Sequence, residues 1–95
     1  MVEKLSAQSR DAALAQLPLW SYDAAADAIT RQFRFEDFHQ AFGFMTRVAL
    51  AAEKAGHHPD WSNAYDTVDI ALSTHDAGGL SQKDIDLART IDALV

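Results

Sequence analysis

Three imidazoles lie close together in this chain: His57 and His58 are adjacent in "EKAGHHPDW", and His75 follows in "STHDAGG". Glu53, Trp61 and Tyr65 flank them. An imidazole titrates near pH 6.5, so near neutrality it can both give and take a proton, and a well-placed general acid or base contributes about 10² to 10⁴ in rate. Neighbouring histidines in an extended stretch point to opposite sides, which makes it awkward for both to bind one zinc ion, and no fourth ligand stands at a familiar spacing. The chain has no cysteine and no serine in a nucleophile-elbow context, so covalent catalysis lacks its usual agents. What is left is proton transfer, and an elimination of water is a reaction such groups can run.

The elements around the histidines must bring them together. From Glu36 to Ala55 the apolar period is helical: Phe38, Phe42, Met45, Ala49 and Ala52 form one stripe, with Phe35 leading into it, and Phe44, Val48, Ala51 and Ala55 form a second line beside it. Gly56 is the stop residue, so the histidine pair begins where this helix ends. A short extended piece around Trp61 and Asn63 precedes a turn at Tyr65-Asp66, and Val68, Ile70 and Leu72 then alternate with polar or small residues as in a half-buried strand. Pairing residues 60–63 with 67–74 across that turn brings His58 and His75 to the same end of the sheet.

The remaining elements complete the domain. Ser6 caps a short helix that Pro18 stops, and Ala13, Leu14 and Leu17 share its inner face. Trp20 and Tyr22, then Ile29, Arg31, Phe33 and Phe35, read as two antiparallel strands joined through "DAAAD". Ser81 with Asp84 at N3 approximates a capping box, and Leu80 against Ile85 fits a hydrophobic staple, so a last helix starts here. The order α-β-β-α-β-β-α predicts an α+β fold, a four-stranded antiparallel sheet with helices on one face. Arg31, Asp69 and Ser73 suggest a polar outer face.

With 95 residues, 48% of them hydrophobic, the chain reads as one domain over 1–95, small enough that self-association is expected. The net charge is −6, and residues 60–95 hold seven aspartates against Lys83 and Arg89, which disfavours direct nucleic-acid binding. No apolar run is long enough for a membrane span, and the polar start "MVEKLSAQSRD" does not read as a signal peptide; the expected location is the cytoplasm.

Glu53, then His57-His58-Pro59, Tyr65, His75 and Asp84 at these spacings resemble the signature of the pterin-4a-carbinolamine dehydratases, and the stretch from "FRFEDFHQAFGF" to "GGLSQKDIDLA" is similar to that family throughout. The resemblance implies a single α+β domain, assembled as a homodimer or homotetramer, that removes water from 4a-hydroxytetrahydropterin to give quinonoid dihydropterin. It implies no metal and no organic cofactor. It also implies a link to the aromatic amino acid hydroxylases that release this substrate. Carried over, His57 and His75 are the acid/base pair, His58 mainly positions substrate, and Glu53 and Asp84 hold the constellation at the substrate site. Trp61 and Trp20 are candidates to flank a flat heterocycle, with Trp20 better explained as core, like Phe35, Phe38 and Phe42. His39 lies outside the motif. Lys83 precedes Asp84 where some relatives carry arginine, and its charge could serve the site without arginine's planar bidentate bonding. The resemblance also carries a second reading, a protein-binding module that helps a transcription factor dimerise, with Phe44, Val48 and Ala51 as its surface.

Overall fold

The computed structural model describes residues 2–95. Its elements run α1 (Ala7–Ala15), β1 (Ser21–Asp23), β2 (Ala28–Arg34), α2 (Phe38–Ala55), β3 (Asp60–Ala64), β4 (Thr67–Leu72) and α3 (Gln82–Asp92), with a single 3₁₀ turn at His75–Ala77 between β4 and α3. The α-β-β-α-β-β-α order and the antiparallel four-stranded sheet are as the sequence predicts, with strand order β1-β2-β4-β3.

Local chemistry sets the boundaries. Ser6 and Asp37 cap α1 and α2 by accepting from the backbone N–H groups of Ser9 and Gln40. The first hairpin turn has no glycine; Asp27 takes the left-handed conformation at φ 48, which Asp tolerates better than most residues. In the second hairpin Tyr65 does the same at φ 52.

The core lies between one sheet face and α2 and α3. Val68, Ile70 and Leu72 of β4 and Ile29 and Phe33 of β2 meet Phe44 and Val48 of α2 and Ile85, Ala88 and Ile91 of α3, all of them buried. Phe44 sits 4.7 Å from Phe33 and 4.9 Å from Phe35, ring centre to ring centre. Truncating a ring so enclosed costs about 3–5 kcal/mol. Trp20 is buried and donates its Nε1–H to Asp92 at 2.8 Å, so it is core, as favoured above.

The structure corrects three expectations. Phe38 and Phe42 are not core: they are 45% and 56% exposed, while Phe35 is half-buried against the cluster. The helix buries Ala41, Phe44, Val48 and Ala52 instead, so Phe44 and Val48 cannot form a docking surface. A wide apolar arc shows two adjacent lines, and helical periodicity alone cannot say which one faces the sheet. Arg31 stands opposite Ile70 in the register and therefore lies on the covered face, not the outer one. Its charge is met there by Asp92 at 2.6 Å, and its guanidinium lies 4.3 Å from the Phe33 ring centre. Thr30, Asp69 and Ala71 are on the opposite face from the buried residues of their strands, and Ser73, just past β4, lines the same hollow as Thr30 and Ala71.

Candidate active site

Three histidines converge at one end of the sheet. Gly56 ends α2 in the left-handed conformation, φ 64, and its N–H bonds Glu53 O while the His57 N–H bonds Ala52 O. This turn sends the His57 ring inward toward α3 and the His58 ring back toward the last turn of α2. His75 opens the 3₁₀ turn, which the Ala77 N–H and Gly78 N–H close onto Thr74 O and His75 O. His57, His58 and His75 together line a hollow of about 250 Å³, with Thr74, Asp76 and Lys83 also at its wall. A larger hollow of about 490 Å³ continues over the outer sheet face and shares His58, Ser73 and His75.

The two adjacent histidines have different partners. His58 Nε2 lies 3.1 Å from Glu53 Oε2, and both side chains are well exposed, so that pair contributes little to stability. His57 Nε2 lies 2.5 Å from Asp84 Oδ1, and Asp84 is fully buried. Such a carboxylate is tolerated only when its oxygens are satisfied. Asp84 Oδ2 accepts from the Ser81 N–H at 3.0 Å and the Thr74 hydroxyl at 2.7 Å, and Ser81 accepts in turn from the Lys83 N–H as the cap of α3. The helix-start signal visible in the sequence thus supplies the carboxylate that orients His57.

The direction of these bonds fixes the imidazole. An ionised carboxylate only accepts, so the neutral His57 ring carries its proton on Nε2, and Nδ1 keeps its lone pair. In its neutral form His57 therefore keeps a basic nitrogen, Nδ1, while the buried Asp84 carboxylate holds the ring through Nε2.

A second cluster steadies the loop after His75. Asp27 accepts from the Tyr22 hydroxyl at 2.6 Å, pairs with Lys4 at 3.3 Å and accepts from the Leu80 N–H at 3.3 Å. The Tyr22 hydrogen bond, with further help from Lys4 and the Leu80 N–H, holds the Asp27 carboxyl below the usual carboxylate range, and the same bond pushes the Tyr22 hydroxyl up. Gly79 is required beside it, because a Cβ there would sit 2.0 Å from Asp27 Oδ2.

The other residues singled out from sequence fall as follows. Asp84 reaches the hollow only through His57, and Glu53 adjoins His58 from its outer side. Trp61 stands opposite Ile70 and packs half-buried against the core, away from the wall of the histidine hollow. Tyr65 is an exposed turn residue, and His39 is exposed on α2. Lys83 lies at the rim. Sequence reasoning missed Thr74, whose side chain is buried between Ser81 and Asp84; its position just before His75 was the one available signal. Among the described residues, no group of three or more His, Asp and Glu side chains converges as a metal ion would require.

Residues 3–94 match the family model described as pterin 4 alpha carbinolamine dehydratase. The chain belongs to that family. A relative from Bradyrhizobium sp. strain BTAi1, provisionally designated a pterin-4-alpha-carbinolamine dehydratase, is 58% identical over 94 residues, covering 99% of this chain and 95% of the relative. One from Rhizorhabdus wittichii strain RW1 with the same provisional designation is 57% identical over 93 residues, covering 98% and 96%. The dehydratase fold here superposes with a TM-score of 0.93 on a crystal structure from Brucella melitensis described as a transcriptional coactivator/pterin dehydratase, at 44% identity and covering 97% of this chain and 98% of that one. A pterin dehydratase-like protein described as a RuBisCO assembly factor in the alpha-carboxysome shares the fold at TM-score 0.68 and 24% identity, covering 79% of this chain and 87% of that one.

Proposed function

We propose that this chain dehydrates 4a-hydroxytetrahydropterin to quinonoid dihydropterin and water by histidine acid/base catalysis, in the cytoplasm, as part of recycling the pterin used by aromatic amino acid hydroxylases. The observation that carries the reading is the hollow walled by His57, His58 and His75, with His57 bound through Nε2 to a buried carboxylate. Family membership supports the substrate class.

The chemistry needs little more. In a carbinolamine the adjacent nitrogen lone pair expels the hydroxyl, so the protein has to protonate the departing oxygen and accept the ring proton. His57 Nδ1, with its orientation set by Asp84, is suited to accept that proton. His75, across the hollow, is suited to protonate the leaving hydroxyl, and the exposed His58 to position the ring system. The two histidines address opposite faces of the pterin in this reading: toward one epimer at the 4a-carbon His75 is the acid and His57 the base, and toward the other His57, having taken up a proton at Nδ1, is the acid. The test is to add purified, chelator-treated protein to freshly generated 4a-hydroxytetrahydropterin and follow the ultraviolet change. Acceleration that His57→Ala abolishes is the expected result; a rate equal to the uncatalysed one overturns the reading.

The chain forms a homodimer or homotetramer in this reading, with the exposed Phe38 and Phe42 of α2 covered by a second copy. Their rings, 5.6 Å apart, leave an apolar pair in water otherwise. The same feature favours a second reading, a protein-binding module, which also draws on the Brucella relative's description as a coactivator. Partner capture that survives loss of all three histidines would favour that reading.

A further inference from the structure

We infer that Thr74 is a positioning residue of the dehydration site, coupling His57 to His75 through its hydroxyl and its backbone; the inference rests on the proposed acid/base reading of those histidines. Thr74 lies two residues past the end of β4, directly before the 3₁₀ turn of His75, and is 5% exposed. Its Oγ1 lies 2.7 Å from Asp84 Oδ2 and 2.6 Å from Ser81 Oγ.

The proton order in this cluster has one solution. Asp84 cannot donate, so Thr74 gives it the hydroxyl proton; Thr74 must then accept from Ser81 Oγ, which itself accepts from the Lys83 N–H. The chain runs Ser81 to Thr74 to Asp84, and the His57 ring donates into the other carboxylate oxygen. Thr74 and the Ser81 N–H pin Oδ2, which fixes the carboxylate plane and with it the direction of Oδ1 toward His57. Removing the hydroxyl leaves Ser81 Oγ without its acceptor inside a buried cluster and frees the carboxylate to rotate.

The backbone of the same residue holds the other histidine. Thr74 N–H bonds Gly79 O at 2.9 Å, and Thr74 O accepts from the N–H groups of Ala77 and Gly79 at 3.0 and 3.2 Å. These bonds close the turn that begins with His75. One residue therefore bonds both the carboxylate that anchors His57 and the turn that begins at His75.

The test compares Thr74→Val, which keeps the shape and loses the hydroxyl, with Thr74→Ser, which keeps the hydroxyl, each in the wild-type and the Asp84→Asn background. The expected result is that Thr74→Val lowers kcat about 10-fold, a part of the general-base contribution, while KM moves less than about 2-fold. Thr74→Ser should stay within about 3-fold of wild type. In the Asp84→Asn background Thr74→Val should cost less than about 2-fold, because its action runs through that carboxylate. A full 10-fold loss in that background, a serine variant as impaired as the valine one, or a valine variant with wild-type kcat would each overturn the inference. Nitrogen-15 spectra of the His57 ring give a readout independent of turnover: Thr74→Val should broaden or split the single Nε2–H pattern. An unchanged pattern overturns the inference even if the wild-type protein proves to have no dehydratase activity. If the valine variant does not fold, Thr74→Ala, which likewise removes the hydroxyl, carries the same comparison.

Discussion

Replacing Asp84 by asparagine separates the charge of the buried carboxylate from its shape, and the structure says which way the new amide must turn. The Ser81 N–H points at Oδ2 and can only donate, so the asparagine oxygen takes that position and its NH₂ replaces Oδ1. That NH₂ then faces His57 Nε2, which stood 2.5 Å from a carboxylate oxygen. Two donors cannot face each other, so the neutral ring moves its proton to Nδ1 and accepts at Nε2. The nitrogen that the proposed mechanism uses as base, Nδ1, is thereby converted to a donor. The general-base contribution at stake is about 10² to 10⁴ in rate, so kcat should fall by at least about 100-fold. Stability should fall less drastically, by about 1–3 kcal/mol, the worth of one charge-assisted hydrogen bond with the other donors still satisfied. Stopped-flow dehydration assays beside a urea melt measure both quantities, and the ring nitrogen-15 shifts report the proton position. A folded Asp84→Asn variant that turns over within about 2-fold of wild type would refute the reasoning about the tautomer. Retention of the Nε2–H pattern despite a large kcat loss would do so as well.

Three further outcomes follow from other parts of the molecule. His75→Ala should lose activity toward one epimer of the carbinolamine and keep most of it toward the other; equal retention toward both, measured with resolved epimers, would remove the two-face account. Asp27 has a carboxyl lowered in the folded state, so its contribution is present above the ordinary carboxylate pKa and disappears as pH falls through the lower folded value. Asp27→Asn should therefore lower stability by about 1–2 kcal/mol near neutral pH and flatten the acid side of the stability profile, read by denaturant melts from pH 7 to pH 2. Phe42→Asp on the exposed side of α2 should leave the fold intact and reduce the mass seen by light scattering, since a residue 56% exposed in the single chain contributes little to its core.

Much of this architecture was legible because its signals are local. The capping box at Ser81 and Asp84, the glycine that stops α2 and the alternation in β4 each lie within a few residues, and each appears where the pattern places it. The convergence of the histidines was legible once the hairpin turn at Tyr65-Asp66 was read, since antiparallel pairing leaves His58 and His75 at one end. The illegible parts depend on partners distant in sequence. Which line of α2 is buried depends on where Phe33 and Phe35 of another element present their rings to Phe44. Arg31 looked polar and outward because its answering charge, Asp92, is 61 positions away. Trp61 is near the histidines in sequence, yet the strand register sets it half-buried against the core rather than in the wall of their hollow, which depends on its pairing with Ile70. Asp27 gave no sign of its role, since its bonds reach Lys4, Tyr22 and Leu80 from three separate stretches.

Asp84 serves at once as the third residue of α3 and as the anion behind His57. End turns of helices open more readily than their middles. Each brief opening at Ser81–Asp84 would release the ring from its anchor while the sheet and the rest of α3 stayed in place. On gentle warming the protein should therefore fall silent before it melts, and whatever clamps that first turn would set the upper temperature at which it still works.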